Sequence, residues 1–135
     1  MKSASGEFLD SNILVYAFTT DPRAELARGL LAGRCSVSVQ QLNEFANVAR
    51  RKLGMSWSEL RESLAAIRTL CGVILPIDID THGEALRIAE RYGCAIFDSL
   101  VIAAALCADC RVLWSEDMHD GVLVDGRLRV TNPFR

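Results

Sequence analysis

Ile96-Phe97-Asp98-Ser99-Leu100-Val101-Ile102-Ala103-Ala104-Ala105-Leu106 is apolar except at Asp98 and Ser99. From Ser99 to Leu106 the run of Leu, Val, Ile and Ala predicts a buried helix. An aspartate at the mouth of such a helix can simply cap it, accepting hydrogen bonds from the first free backbone N–H groups. Its company suggests more. Asp10, Glu44 and Asp117 also stand at the edges of apolar segments. These four acids are expected to meet at one place and hold a divalent cation.

Outward from that stretch, strands and helices alternate. Phe8-Leu9 predicts a short first strand, followed by Asp10-Ser11-Asn12 as a polar turn. Asp21-Pro22 opens a helix to about Ala32, with proline at the first helical position and Gly33 as the stop. Ser36-Val37-Ser38-Val39 alternates as a second strand, and Gln40 to Lys52 carries a helical face of Leu42, Phe45, Ala46, Val48 and Ala49. Glu44 falls on the polar side of that helix, four residues from Gln40. Ser56 and Glu59 have the spacing of a capping box, with a helix to about Cys71. Val73 to Ile77 is a third strand, edged by Pro76. Asp80 starts a helix that runs to about Tyr92 and is closed by Gly93. Arg111 to Trp114 reads as a fourth strand, Ser115 to Gly121 as a polar loop, and Leu128-Arg129-Val130 as a short last strand. The pattern predicts an α/β fold: a central, mainly parallel sheet of four to five short strands with helices on both faces. With no linker or repeat, residues 1–135 are expected to form one domain.

In such sheets, sites lie outside the carboxyl ends of the strands. Asp10 and Asp117 follow strands, while Glu44 and Asp98 lie near the beginnings of helices. All four are therefore expected on the same side. Two carboxylates about 4 Å apart repel by roughly 4 kcal/mol at an effective dielectric near 20. The two lysines, Lys2 and Lys52, adjoin none of the set. A bound Mg²⁺ or Mn²⁺ would neutralise the acids, since both are hard ions that take carboxylate and water oxygens. Such ions activate water and clamp phosphate, which points to phosphodiester hydrolysis.

Composition narrows the class. Half the residues are apolar and the net charge is −2. A sequence-independent duplex DNA binder usually carries a strong basic excess. No apolar run approaches the ~20 residues of a bilayer span, and the amino terminus lacks the apolar core of a signal peptide, so a cytoplasmic protein is expected. The five cysteines, in or beside apolar segments, are expected to be small buried hydrophobes in a reducing compartment. Cys107-x-x-Cys110 lacks the second ligand pair of a zinc site. A phosphate-binding GxxxxGK[ST] loop and a GxSxG elbow are both missing. His82 and His119 have no nucleophile to serve, and Asn12 breaks the Asp-x-Asp of haloacid-dehalogenase-type phosphatases. A receiver-type domain would need a lysine on a late strand.

Taken in order, Phe8-Leu9-Asp10-Ser11-Asn12, Asn43-Glu44-Phe45, Phe97-Asp98-Ser99-Leu100 and Ser115-Glu116-Asp117-Met118 resemble the four acidic motifs of PIN-domain nucleases. Their spacing is similar to that of VapC-type toxins of toxin–antitoxin pairs. The resemblance extends to the closing Val130-Thr131-Asn132-Pro133-Phe134. It implies a PIN-like domain, an endoribonuclease dependent on Mg²⁺ or Mn²⁺, an RNA substrate, a homodimer, and a small antitoxin partner covering the acidic cleft. It also implies Asp10 and Asp98 as main metal ligands, with Glu44 as a further ligand or as the group orienting the attacking water. Asp117 would be the fourth acid, binding metal directly or through water, with Asp120 as its competitor in the loop. Asn12 and Ser115 would donate hydrogen bonds to these carboxylates or stabilise turns. Arg50 and Arg51 would steer RNA phosphates or form a solvated helix face. Trp57 and the helix after it could belong to an apolar contact surface. Three functional readings remain open: a toxin ribonuclease, an RNA-processing nuclease without a toxin role, and a catalytically inert binding module.

Overall fold

The computed structural model describes residues 5–135; Lys2 lies outside them. Among the described residues six strands form one sheet in the order β3-β2-β1-β4-β6-β5. They are β1 (Glu7–Leu9), β2 (Ser36–Ser38), β3 (Val73–Leu75), β4 (Val112–Trp114), β5 (Leu123–Val124) and β6 (Leu128–Thr131). Every pairing is parallel except β5 with β6. The helices are α1 (Ser11–Tyr16), α2 (Ala24–Leu31), α3 (Val39–Arg51), α4 (Trp57–Leu70), α5 (Ile79–Tyr92) and α6 (Ile96–Cys107).

Alternation along the strands builds two cores. Phe8 and Leu113 are register partners and face α5 and α6, where Ile88, Val101 and Ile102 bury against them. Leu9 and Trp114 are the next pair and face the other way, toward Ile13 and Leu14 of α1, Phe45 of α3 and Ile67 of α4. One residue of register decides which core receives a side chain. Helices cover both faces, as an all-apolar parallel strand requires.

Four expectations need correction. Asp10-Ser11-Asn12 is not a free turn. Asp10 has extended backbone and accepts a hydrogen bond from the Ser11 N–H, so it is the N-cap of α1, a helix short enough to escape periodicity. The second helix begins at Ala24, because Asp21 accepts hydrogen bonds from the N–H groups of both Arg23 and Ala24 and holds a turn there. The Asp98 helix starts at Ile96, with Ala95 as its cap residue, so Asp98 is the third helical residue and not the cap. The sheet has six strands rather than four to five. The unanticipated β5 is two residues long and joins β6 through Asp125-Gly126, both at positive φ (52° and 66°). That is the backbone of a tight hairpin turn, and Asp-Gly was the signal available for it.

The cysteines divide. Cys35, Cys71 and Cys110 are buried as expected, Cys94 is half-buried and packs against the core, and Cys107 is exposed, so only the last is not a core hydrophobe. Within the described residues no helix is long and apolar enough to cross a membrane.

Candidate active site

Strand β1 ends at Leu9, and the next residue turns into α1 at the carboxyl edge of the sheet. The Asp10 N–H continues the ladder by bonding the Trp114 carbonyl at 3.0 Å. This fixes the backbone on which the Asp10 carboxylate sits. Its Oδ1 accepts from the Ser11 N–H at 2.7 Å, and its Oδ2 accepts from the Ser115 hydroxyl at 2.8 Å. Both Asp10 and Ser115 are buried. Burial raises the Asp10 carboxyl to about 6 against the two hydrogen bonds that lower it, and the negative charges of Glu44 and Asp98 add to the rise. Asp10 therefore shares its field with two of the acids singled out in the sequence.

Glu44 is half-buried on α3. A reciprocal cap between Ser38 and Gln41 sets the start of that helix. The Gln40 Nε2 then donates to Glu44 Oε2 at 3.4 Å and to the Phe97 carbonyl at 3.5 Å, linking α3 to the first turn of α6. Asp98 lies in that turn and is exposed. With no side-chain cap on α6, the positive end of the helix dipole adjoins the acidic site.

Asp117 is exposed in the loop after β4 and accepts a hydrogen bond from Asn12 Nδ2 at 3.1 Å. It shares a cavity wall with Asp98. Asp120, the other acid of the loop, turns away: its Oδ1 accepts from the Asn132 N–H at 2.8 Å and its Oδ2 lies 3.7 Å from Arg135. Of the two polar residues singled out in the sequence, Ser115 donates to Asp10 and Asn12 donates to Asp117. Arg50 is engaged elsewhere, donating to the Met55 carbonyl at 2.7 Å and covering the Trp57 ring at 4.3 Å. Arg51 is exposed at the end of α3, seven residues or about 10 Å of helix beyond Glu44. Trp57 itself is 59% exposed.

Sequence reasoning overlooked a polar latch beside these acids. Tyr16 donates to Glu116 Oε1 at 2.7 Å, and Arg23 pairs with Glu116 Oε2 at 3.2 Å. The hydrogen bond to Glu116 is the first cause that holds the Tyr16 phenol up at about 12. Asn12 and Tyr16 are four residues apart, on one face of α1, and together hold the Ser115–Asp117 loop. That i, i+4 spacing was the available signal.

None of Asp10, Glu44, Asp98 and Asp117 has an ion-pair partner among the described residues, whereas Asp21, Asp109, Glu116 and Asp125 each have an arginine. Glu44 and Asp98 lie close enough to act on the charge of Asp10, and Asp98 and Asp117 line one cavity, but among the described residues no three His, Cys, Asp or Glu side chains form a group that could hold a metal ion. Their donor atoms are all carboxylate oxygens, which suit a hard divalent cation, and the buried Asp10 carboxylate has no fixed positive charge beside it.

A mainly parallel sheet covered on both faces by helices defines the class of fold. The PIN domain family matches residues 8–119, and the chain belongs to that family. Solved structures agree on the architecture. A toxin-antitoxin complex from Klebsiella pneumoniae matches with a TM-score of 0.72 at 20% identity, covering 97% of this chain and 98% of that one. VapC20 of Mycobacterium tuberculosis, a sarcin-ricin loop cleaving toxin, matches at TM-score 0.64 and 19% identity over 79% of this chain and 86% of that one. VapBC2 from Rickettsia felis, bound to a DNA fragment from its promoter, gives 0.64 at 20% identity over 93% and 97%. Curated protein sequences give no match.

Proposed function

We propose that the protein is an endoribonuclease that hydrolyses RNA phosphodiester bonds with Mg²⁺ or Mn²⁺, and that it acts as the toxin of a toxin–antitoxin pair. The observation that carries this reading is the Asp10 carboxylate, buried near Glu44 and Asp98 without an ion-pair partner among the described residues and raised to about 6 chiefly by that burial. Asp10 and Asp98 would hold the ion, with Glu44 as a ligand or as the acceptor that orients water. Asp117 would be the fourth acid, since Asn12 holds it and it lines a cavity with Asp98, while Asp120 is tied to the carboxyl-terminal segment. When bound, the ion would supply charge neutralisation at the phosphate and an acidified water. Ser115 keeps one Asp10 oxygen in place, and Asn12 does the same for Asp117.

The toxin role draws on the likeness to the Klebsiella, Mycobacterium and Rickettsia structures. It brings with it a small antitoxin partner and a homodimer, to which the exposed Trp57 could contribute an apolar contact. Residues 1–135 would be a single nuclease domain, since all six strands join one sheet.

Expression of the wild-type chain should arrest growth and yield discrete RNA cuts in Mn²⁺. Asp10→Asn and Asp98→Asn should each remove both effects. Full cleavage by either variant would refute the assignment. Cleavage without growth arrest would leave the nuclease and remove the toxin role.

A further inference from the structure

The acidic edge opens onto a cavity of about 280 Å³ on the α5–α6 face of the sheet, which the reading above leaves without a task. Asp98 and Asp117 belong to its wall. Its buried members are apolar: Ile102 of α6, Met118 of the loop, Val124 of β5 and Val130 of β6. Tyr92 and the exposed His119 supply two flat rings. The Tyr92 hydroxyl donates to Asp125 Oδ1 at 3.1 Å and accepts from the Asp125 N–H at 2.8 Å, so the ring is held in place. Arg91 lies 5.5 Å from its centroid. The His119 imidazole makes no hydrogen bond or ion pair among the described residues.

We propose that this cavity receives one unstacked base of the RNA strand, adjoining the phosphodiester held at the acids; the proposal rests on the nuclease reading. Size is the first argument. The volume falls just below the ~300–1,000 Å³ of pockets for drug-sized ligands, which leaves room for one ring system and not for a length of polymer. Chemistry is the second. An apolar floor beneath aromatic and imidazole rings suits a flat heterocycle, and proteins read single-stranded RNA by splaying bases onto such surfaces. An apolar side chain of a partner protein would use the floor but leave the unbonded imidazole without a counterpart, whereas a base edge carries donors and acceptors for it. Position is the third. Because Asp98 and Asp117 are shared by the cavity and the proposed ion site, a strand whose phosphate lies at the acids delivers a neighbouring base to the opening. The cavity would then set the base preference next to the cut.

The test compares cleavage, in Mn²⁺, of a short single-stranded RNA with versions made abasic at one position at a time around the cut. In the wild type one position should show a preference for the intact base of about tenfold in kcat/KM, the size expected of one stacked base. Ala95→Leu, which adds bulk at the cavity wall, and His119→Ala should each bring that ratio toward one. In parallel, the methyl resonances of Ile102, Met118 and Val124 should shift with a nucleoside monophosphate in the absence of divalent ions. Methyl shifts without cleavage of any RNA would keep the base site and remove the nuclease reading. Cleavage that depends on Asp10, with no position favouring the intact base and no methyl shifts, would overturn the base site alone. Methyls that respond to an apolar peptide but to no nucleotide would also overturn it.

Discussion

Asp10 carries three duties on one side chain: it caps α1, it receives the Ser115 hydroxyl, and it keeps a charge beside Glu44 and Asp98. The first was within reach of sequence reasoning as turn chemistry, the second only through the family resemblance, and the third only as a convergence of separate motifs. Burial was not, because Asp10 is polar and its enclosure comes from the crossing of β1, β4 and the loop after β4. The carboxyl has a folded value of about 6, above its ordinary 3.8. The folded chain therefore binds a proton more tightly than the unfolded one. Relative stability from this group is fully present below about 3.8 and is lost as pH rises through about 6, with a total near 3 kcal/mol. Asp10→Asn removes the charge and should melt about 5–10 °C above the wild type at pH 8 in EDTA. The gap should close by pH 4. Thermal melts across that range check this, and a gap independent of pH would show that ionisation is not its cause.

At the scale of elements, the long amphipathic helices and their caps were legible because their signals are local: Ser56 with Glu59, and Gly93 at φ 68°, end or begin helices wherever the rest of the chain goes. Helix α1 and strand β5 were not. Both are short, and each is held by partners distant in sequence, α1 by the Ser115–Asp117 loop and β5 by β6. The start of α6 was misplaced for a related reason. Ile96 and Phe97 are exposed at 46% and 71%, so the first turn does not share the burial that marks the remainder. Two positions on α1 separate structural from functional support. Tyr16→Phe removes a donor to the half-buried Glu116 and should lower stability by about 1 kcal/mol, read from denaturant unfolding. Asn12→Ala frees the exposed Asp117 and should raise the Mn²⁺ concentration for half-saturation about tenfold, with little change in unfolding midpoint. Calorimetry on both variants decides the matter. Equal metal affinity in Asn12→Ala and wild type would detach Asp117 from the ion.

For the whole molecule, charge placement matters more than the net value of −2. Arginines are largely engaged by the protein itself: Arg23 with Asp21 and Glu116, Arg87 with Glu84 and Asp125, Arg127 with Asp109, Arg50 with a backbone carbonyl. Several are exposed pairs that add little stability, but they spend positive charge that an RNA backbone could otherwise meet. Asp10, Glu44, Asp98 and Asp117 have no such partner among the described residues. A polyanion approaching them meets repulsion until a divalent ion reverses the local charge. Association with RNA should accordingly be at least about tenfold weaker in EDTA than in millimolar Mn²⁺, a difference of about 1.4 kcal/mol. In EDTA its dependence on monovalent salt should be shallow, with a log–log slope of about −1 or less in magnitude, because few phosphates are neutralised. Fluorescence anisotropy with a 2′-O-methyl RNA, which resists cleavage, measures both quantities. Tight binding in EDTA with a steep salt slope would reveal a basic RNA surface elsewhere on the chain, and the acidic edge would no longer be where the substrate is first held.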